Sequence, residues 1–251
     1  MPPTVLCDLD GVVWLARAPI PGSVEAIADL RARGHRVVFV TNNSNPILAD
    51  NEQALERMGI PAKGDVLTSA QAAALLLQPG ESAYVAGGPG IVEALGARGV
   101  EVRDDGQVDA VVVGFHCEFD YDGLARASSK VRAGARLIGT NDDATYPTAD
   151  GPIPGGGSIL AAVAFASGAT PLVAGKPYAP MAALVTEVLG ARAAADAVMV
   201  GDRPDTDGRF ARAIGCRFAL VYTGVTKPGM AVDPAPDLAV DDLRAVAAAL
   251  A

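Results

Sequence analysis

Short apolar runs alternate along the chain with longer segments in which Ala, Leu and Arg recur at helical spacing. A short run of β-branched and other apolar residues is typical of a buried strand, whereas apolar residues three and four positions apart predict a helix with one buried face. The predicted strands cover 4–9, 36–40, 82–86, 109–113, 136–139, 197–200 and 218–222. The predicted helices cover 22–33, 47–58, 89–98, 121–133, 158–167, 179–190, 207–214 and the chain from about 240.

This alternating order predicts the fold class. Apolar strands that alternate with helices form mostly parallel sheets with helices on both faces. We therefore expect an α/β protein built on a doubly wound, mostly parallel sheet. In such sheets the ligand crevice lies at the carboxyl ends of the strands. Three predicted strands end in polar residues, at 8–10, 41–43 and 202, and these ends are expected to converge.

The middle of the chain lacks most of these polar strand ends. Residues 73–174 contain one such end, at 140–143, and show no low-complexity linker. We expect 73–174 to form an inserted α/β cap domain and 1–72 together with 175–251 to form the core.

Composition narrows the class of partner. The net charge of -9 disfavours nucleic acid and anionic membranes, because binding to either needs clustered Lys and Arg. No run of 18 apolar residues and no signal-peptide pattern occurs, and the three cysteines are far apart. We expect a cytoplasmic protein with a small-molecule substrate and neither a nucleic-acid nor a membrane partner.

Asp8 and Asp10 form the first candidate site. The two-residue period of a strand places both carboxylates on one side, where they repel each other and push their pKa values apart. One acid can then stay ionised as a nucleophile while the other acts as a general acid. Gly11 permits the sharp turn that exposes them. An ordinary acidic turn is an equally good interpretation of this motif alone.

Thr41, Asn42 and Asn43 follow another apolar strand and could bind phosphate oxygens through a hydroxyl and backbone N–H groups. For this motif alone, a plain helix cap is the better interpretation.

Lys176 is one of only four lysines, against sixteen arginines, which indicates a need for a compact point charge between a phosphoryl oxygen and a carboxylate. A solvated surface lysine is the alternative. The surrounding sequence does not match a P-loop.

Asp202, Asp205 and Asp207 lie at the mouth of a late apolar strand. Carboxylates are hard oxygen ligands that suit Mg²⁺. The alternative is the acidic first turn of a helix, and the two interpretations are compatible.

The order of these four motifs resembles that of the haloacid dehalogenase-like phosphatases. Asp8 and Asp10 match the family's first motif, Thr41 the second, Lys176 the third, and Asp202 with Asp207 the fourth. The class IIA subfamily, which has an inserted α/β cap, is similar in further stretches: DLDGVVW, VTNNSN, PGGGSI, GKP and GDRPDTD. The resemblance covers essentially the whole chain.

This resemblance implies a Mg²⁺-dependent phosphatase in which Asp8 attacks phosphorus and Asp10 protonates the leaving oxygen. Thr41 and the backbone of Asn42 would hold phosphoryl oxygens. The metal would be bound by carboxylate oxygens of Asp8 and Asp202 and by the main-chain carbonyl of Asp10. The remaining implied members of the site are Asn43, Lys176 and Asp207.

Two departures fall beside the implied metal ligands. Pro204 and Gly208 occupy positions that are apolar in the usual fourth motif. Pro204 fixes φ, and Gly208 loosens the first helical turn. Asp205 therefore rivals Asp207 as the second acid near the metal.

The insert is expected to select the leaving group, and Asp142 and Tyr146 are its candidate contacts. The run 155–157 predicts a hinge or helix entry, and Trp14 either stacks on substrate or joins the core. An apolar face of the insert could support a homodimer.

The substrate stays open at this level among phosphoglycolate, glycerol phosphate, nucleotides and sugar phosphates. A phosphomutase, a receiver-like signalling protein and a non-catalytic phosphate-binding protein are the alternatives. The acid pair on a single strand argues against the receiver, in which those acids lie on different strands.

Overall fold

The structure, a computed structural model, describes residues 2–148 and 150–250. The strands are β1 (Val5–Cys7), β2 (Trp14–Leu15), β3 (Ala18–Pro19), β4 (Val37–Thr41), β5 (Val66–Thr68), β6 (Ser82–Ala86), β7 (Glu101–Val102), β8 (Ala110–Val113), β9 (Arg136–Gly139), β10 (Thr145–Thr148), β11 (Gly151–Pro154), β12 (Leu172–Val173), β13 (Val198–Gly201), β14 (Arg217–Val221) and β15 (Leu238–Val240). The helices are α1 (Ser23–Ala32), α2 (Leu48–Arg57), α3 (Ser69–Ala74), α4 (Pro89–Ala97), α5 (Tyr121–Arg132), α6 (Gly156–Ser167), α7 (Ala179–Leu189), α8 (Ala191–Ala195), α9 (Arg209–Ile214) and α10 (Leu243–Ala249).

Two parallel sheets organise the chain. The first sheet has the strand order β15-β14-β13-β1-β4-β5, and the second has the order β12-β9-β8-β6-β7. The chain starts near the middle of the first sheet at β1, adds strands on one side, and later adds β13 to β15 on the other. The predicted α/β, doubly wound, mostly parallel fold is therefore confirmed. Two antiparallel hairpins, β2–β3 and β10–β11, accompany the sheets.

Helices cover both faces of the first sheet because successive strand residues point to opposite faces. Leu6 of β1 packs with residues of α3, α7 and α9 on one face. Val5 and Cys7 pack with residues of α1, α2 and α10 on the other. Strands that are buried on both faces have continuous apolar sequences. For this reason the apolar runs predicted these strands.

The second sheet packs against part of the same core. Val111, Val113 and Leu137 face α5 and α6. On the opposite face, Val112 and Ile138 belong to the cluster that also contains Leu6. The two sheets therefore share apolar packing beneath the crevice that lies between them.

The predicted domain boundary at 72–73 falls inside α3. A capping box between Thr68 and Gln71 joins this helix directly to β5 of the first sheet. We propose that the insert begins in the segment between α3 and Ser82, where β6 starts, and runs to 174.

The helices are short. The longest, α5 and α6, have 12 residues each. Within 2–148 and 150–250, no helix has the length and apolar character that crossing a membrane requires.

Candidate active site

The carboxyl end of β1 lies between those of β13 and β4. Asp8 follows β1, Thr41 ends β4, and Asp202 follows β13. All three side chains are buried, and they line one cavity of about 160 Å³. The convergence predicted from the polar strand ends is present in the structure.

Lys176 lies at the floor of this cavity with 1% of its surface exposed. Its ammonium group donates to Asp8 Oδ1 at 2.9 Å and to Asp207 Oδ1 at 2.7 Å. Burial disfavours the charged lysine, but the carboxylates of Asp207 and Asp8 outweigh that effect and hold the pKa of Lys176 above its ordinary value. Lys176 is therefore a fixed cation and cannot serve as a base near neutral pH.

The side chain of Asn42 holds the backbone of this lysine. Lys176 N–H donates to Asn42 Oδ1 at 2.7 Å, and Asn42 Nδ2 donates back to the Lys176 carbonyl at 3.0 Å. A Cβ at Gly175 would lie 2.5 Å from Asn42 Oδ1, so this close approach needs glycine. Because these bonds occupy the side chain of Asn42, this residue can contact a phosphate only through its backbone.

Thr41 and Asn43 also line the cavity. The Thr41 hydroxyl accepts the Asn43 N–H at 3.0 Å and is buried. The Asn43 side chain donates to the Tyr146 hydroxyl at 3.3 Å. The predicted T-N-N motif thus reaches the cavity, where Asn43 also joins the first sheet to the β10–β11 hairpin.

Three carboxylates form a cluster beside the lysine. Asp8, Asp202 and Asp207 each bring an oxygen to within 4.8 Å of the others. Asp202 Oδ1 is buried and has no hydrogen-bond partner among the described residues. Burial, together with the neighbouring charges of Asp207 and Asp8, raises the pKa of Asp202 well above its ordinary value. A buried, unpartnered carboxylate oxygen beside two further carboxylates fits a divalent cation of hard, oxygen-preferring type.

Asp207, rather than Asp205, enters the cluster. A π-helical turn over Pro204–Gly208 carries Asp207 inward, where Arg203 N–H donates to its second oxygen at 3.1 Å. Burial raises the pKa of Asp207 to about 6, against the opposing effect of Lys176. Asp205 is exposed, and its carboxylate lies 3.4 Å from the Arg203 guanidinium, outside the cluster. The departures at Pro204 and Gly208 therefore do not displace Asp207.

Trp14 holds Asp10 in place. The sequence allowed Trp14 either to stack on substrate or to join the core. Trp14 is 2% exposed in the core, and its indole N–H donates to Asp10 Oδ1 at 3.1 Å. It does not offer a stacking face to substrate. Burial raises the pKa of Asp10 to about 6, although the Trp14 hydrogen bond opposes the shift. A carboxyl group with such a pKa can donate a proton near neutral pH.

The β10–β11 hairpin and the segment after β8 supply the opposite wall of the cavity. Tyr146 stacks on Phe115 with ring centroids 4.8 Å apart, and both rings line the cavity. Burial and the nearby Asp10 raise the pKa of Tyr146, so its hydroxyl stays neutral. Tyr146 thus lies where the sequence predicted a contact from the insert.

Asp142 does not lie where the sequence predicted. Its exposed carboxylate accepts a hydrogen bond from the Tyr178 hydroxyl, away from the cavity. The next residue, Asp143, lines the cavity instead and accepts from Asn42 Nδ2 at 3.0 Å. Neighbouring residues in a turn point in different directions, which sequence alone did not resolve.

The glycine run at 155–157 is a helix entry, as expected. Gly155 precedes α6 and Gly156 begins it. A Cβ at Gly157 would lie 2.3 Å from the backbone of Asp142, so the run lets α6 begin close to the 141–143 turn.

The sequence of this chain matches known proteins along most of its length. Residues 5–101 match the family model described as haloacid dehalogenase-like hydrolase, and residues 173–246 match a second model described as HAD-hydrolase-like. A D-glycerol 3-phosphate phosphatase of Mycobacterium tuberculosis is 40% identical over 240 residues, which cover 92% of this chain and 66% of that protein. The chain thus spans just under two thirds of that relative.

Two further matches cover a larger share of the matched protein. An acid sugar phosphatase of Staphylococcus saprophyticus is 36% identical over 225 residues, 88% of this chain and 86% of that one. The crystal structure of the glycerol phosphate phosphatase Rv1692 from M. tuberculosis in complex with magnesium has a TM-score of 0.88 at 35% identity, and it covers 98% of this chain and 76% of that chain.

Proposed function

The chain belongs to the haloacid dehalogenase-like hydrolases of class IIA and is a phosphomonoester hydrolase, and from this premise we propose that it hydrolyses a small phosphomonoester with Mg²⁺ through an aspartyl-phosphate on Asp8. One observation carries the proposal: a buried lysine lies between Asp8 and Asp207, beside an Asp202 oxygen that has no partner among the described residues. A merely structural ion pair has no need of a third, uncompensated carboxylate.

Carboxylate oxygens of Asp8 and Asp202 and the main-chain carbonyl of Asp10 would hold Mg²⁺, with Asp207 nearby. When bound, the metal supplies positive charge that neutralises the phosphate and the acid cluster. The chain's own cation, Lys176, would stabilise the equatorial phosphoryl oxygens and hold Asp8 in position for attack.

The reaction has two displacements at phosphorus. A carboxylate oxygen of Asp8 forms a bond to phosphorus as the bond to the leaving oxygen breaks, and Asp10 gives that oxygen its proton. Asp10, now ionised, takes a proton from water as the water oxygen attacks phosphorus. The bond to Asp8 then breaks and releases phosphate. Trp14 fixes Asp10 for both steps.

Replacing Asp10 by asparagine should impair turnover most for substrates with poor leaving groups. General acid catalysis contributes about 100- to 10,000-fold, and an alkoxide leaving group needs it more than nitrophenolate does. We expect kcat to fall at least about 100-fold on an alkyl phosphate and clearly less on 4-nitrophenyl phosphate. Equal losses on both esters would remove the general-acid role of Asp10, and Trp14→Phe should give a smaller loss of the same pattern.

Mg²⁺ should stabilise the folded protein through Asp202. A ligand present at 100 times its Kd stabilises by about 2.7 kcal/mol, so saturating Mg²⁺ should raise Tm by several degrees. In Asp202→Asn this gain should largely vanish, while metal-free stability is retained because the amide ends the repulsion from Asp207 and Asp8. Asp205→Asn is the matched control, since Asp205 is exposed outside the cluster. Equal Mg²⁺ stabilisation in wild type and Asp202→Asn would exclude Asp202 as a ligand.

Phosphate release from a panel of phosphomonoesters, with Mg²⁺ and with excess EDTA, tests the proposed function as a whole. Release that needs Mg²⁺ supports it. A folded protein that releases no phosphate from any ester would favour the phosphomutase or the non-catalytic alternative. The cytoplasmic location and the homodimer through the insert stay predictions, and sedimentation equilibrium tests the dimer.

A further inference from the structure

Asn42 forms hydrogen bonds through each of its polar groups except the backbone N–H. Its side chain bonds to the backbone of Lys176 and to the carboxylate of Asp143. Its carbonyl oxygen accepts two further bonds. The N–H has no partner among the described residues, although Asn42 is buried and lines the cavity. A buried backbone donor without a partner costs free energy, so this N–H is available to a ligand in the cavity.

Two donors, one from each sheet, meet at the Asn42 carbonyl. Ser69 begins α3 directly after β5 of the first sheet, and its hydroxyl donates to the carbonyl oxygen at 2.7 Å. Asn141 follows β9 of the second sheet, and its Nδ2 donates to the same oxygen at 2.7 Å. Both donors are buried. A carbonyl oxygen has two lone pairs, and because both are used here the direction of this carbonyl is fixed.

The amide of Asn141 is itself held in one orientation. Its Oδ1 accepts the Asp143 N–H at 3.1 Å, which directs Nδ2 towards Asn42. Gly156, at the start of α6, leaves room for this amide, since a Cβ there would lie 2.9 Å from Asn141 Oδ1. The glycine at the entry of α6 therefore supplies the space that the Asn141 amide needs.

These bonds determine where the Asn42 N–H points. Planar peptide bonds leave only the φ and ψ rotations free, and Cα is tetrahedral. Once the side chain and the carbonyl of Asn42 are fixed, its backbone nitrogen is fixed as well. Asn141 lines the cavity, whereas Ser69 lies outside the cavity lining and reaches it only through the Asn42 carbonyl.

We propose that Asn141 and Ser69 are positioning residues that aim the Asn42 N–H at the phosphoryl group by fixing the Asn42 carbonyl. This inference rests on the proposed phosphatase function, in which the backbone of Asn42 holds a phosphoryl oxygen. Through Asn141 the insert contributes to affinity for the phosphoryl group, which every ester shares, as well as forming a wall around the leaving group.

The test is the Kd of inorganic phosphate, measured by titration calorimetry with saturating Mg²⁺ in wild type, Ser69→Ala and Asn141→Ala. One hydrogen bond changes an equilibrium constant by about 2- to 10-fold, so each variant should bind phosphate more weakly by about that factor. Ser69→Cys keeps a weak donor at the same position and should lose less affinity than Ser69→Ala.

Kinetics separate positioning of the phosphoryl group from selection of the leaving group. Propyl phosphate and 4-nitrophenyl phosphate share only the phosphoryl group, so kcat/KM should fall by a similar factor for both esters in each variant. Ser128→Ala is the matched control, since Ser128 is an equally buried serine on α5 and lies outside the cavity lining. Its Kd for phosphate should equal that of wild type, and Tm establishes that every variant is folded.

An unchanged Kd in both folded variants would overturn the inference. A loss in Asn141→Ala without a loss in Ser69→Ala would also overturn it, because Asn141 would then act by direct contact from the cavity lining. If Asn141→Ala does not fold, the Kd of Ser69→Ala decides alone. Wild-type protein that binds no phosphate and hydrolyses no ester would instead remove the proposed function, and this inference fails with it.

Discussion

Asp8→Asn is expected to reduce phosphate release at least about 1,000-fold while the protein stays folded. The carboxamide is nearly isosteric and can still accept the Lys176 hydrogen bond at Oδ1, but it cannot attack phosphorus. Removing a nucleophile abolishes the covalent route, and only the slower direct attack of water on the bound ester is left. Steady-state kinetics on 4-nitrophenyl phosphate with saturating Mg²⁺ measure the loss.

The matched control for this variant is Asp142→Asn. Asp142 undergoes the same chemical change, but it is exposed and lies away from the cavity. Its turnover should stay within about twofold of wild type, as is usual for surface substitutions. Circular dichroism and Tm establish that both variants are folded. Turnover of Asp8→Asn at the wild-type rate would remove Asp8 from the mechanism.

Lys176→Met is expected to impair stability as well as activity. The substitution keeps an unbranched side chain of nearly the same length but leaves Asp8 and Asp207 buried without their shared cation. Removing one partner of a buried ion pair costs about 3–5 kcal/mol. Denaturant unfolding without metal should show a loss of this size, and added Mg²⁺ should restore part of it, because a divalent cation compensates the same carboxylates.

The loss of stability in Lys176→Met should depend on pH. The pKa of Asp207 is already raised from 3.8 to about 6 in the folded protein, and loss of Lys176 removes an effect that lowers it. An acid whose pKa is higher in the folded state binds more protons there, so metal-free stability falls as pH rises from about 4 through 6 and beyond. Lys63→Met, at an exposed lysine, should show neither effect. A loss that is independent of pH would contradict burial of uncompensated charge.

The sequence predicted the strands and helices that are long enough to show a hydrophobic period. The predicted strands at 82–86 and 136–139 match β6 and β9 residue for residue. Strands β7 and β12 were missed, because two-residue strands at a sheet edge are too short to show a period. Helix α3 was missed because its Ala-rich sequence is buried on nearly all sides and shows no amphipathic period.

The sequence also predicted that the acids at the strand ends and Lys176 meet in one site, but it left the choice between Asp205 and Asp207 open. Parallel strands end at a common edge, so polar residues at Asp8, Thr41 and Asp202 had to converge once the strand order allowed it. Contacts that depend on side-chain direction could not be predicted from the sequence. The Trp14 bond to Asp10 spans an irregular turn, and the Arg203 approach to Asp143 joins residues 60 positions apart, so neither follows from a local period.

The most direct test of Asp8 as the nucleophile is to quench wild-type protein with acid during turnover of 4-nitrophenyl phosphate with Mg²⁺. Any covalent phosphoryl group is then mapped by peptide mass spectrometry. The mass of one phosphoryl group is expected on the peptide that contains Asp8, and none is expected on the same peptide from Asp8→Asn. A phosphoryl group on any other peptide of the wild-type protein would contradict the assignment of Asp8.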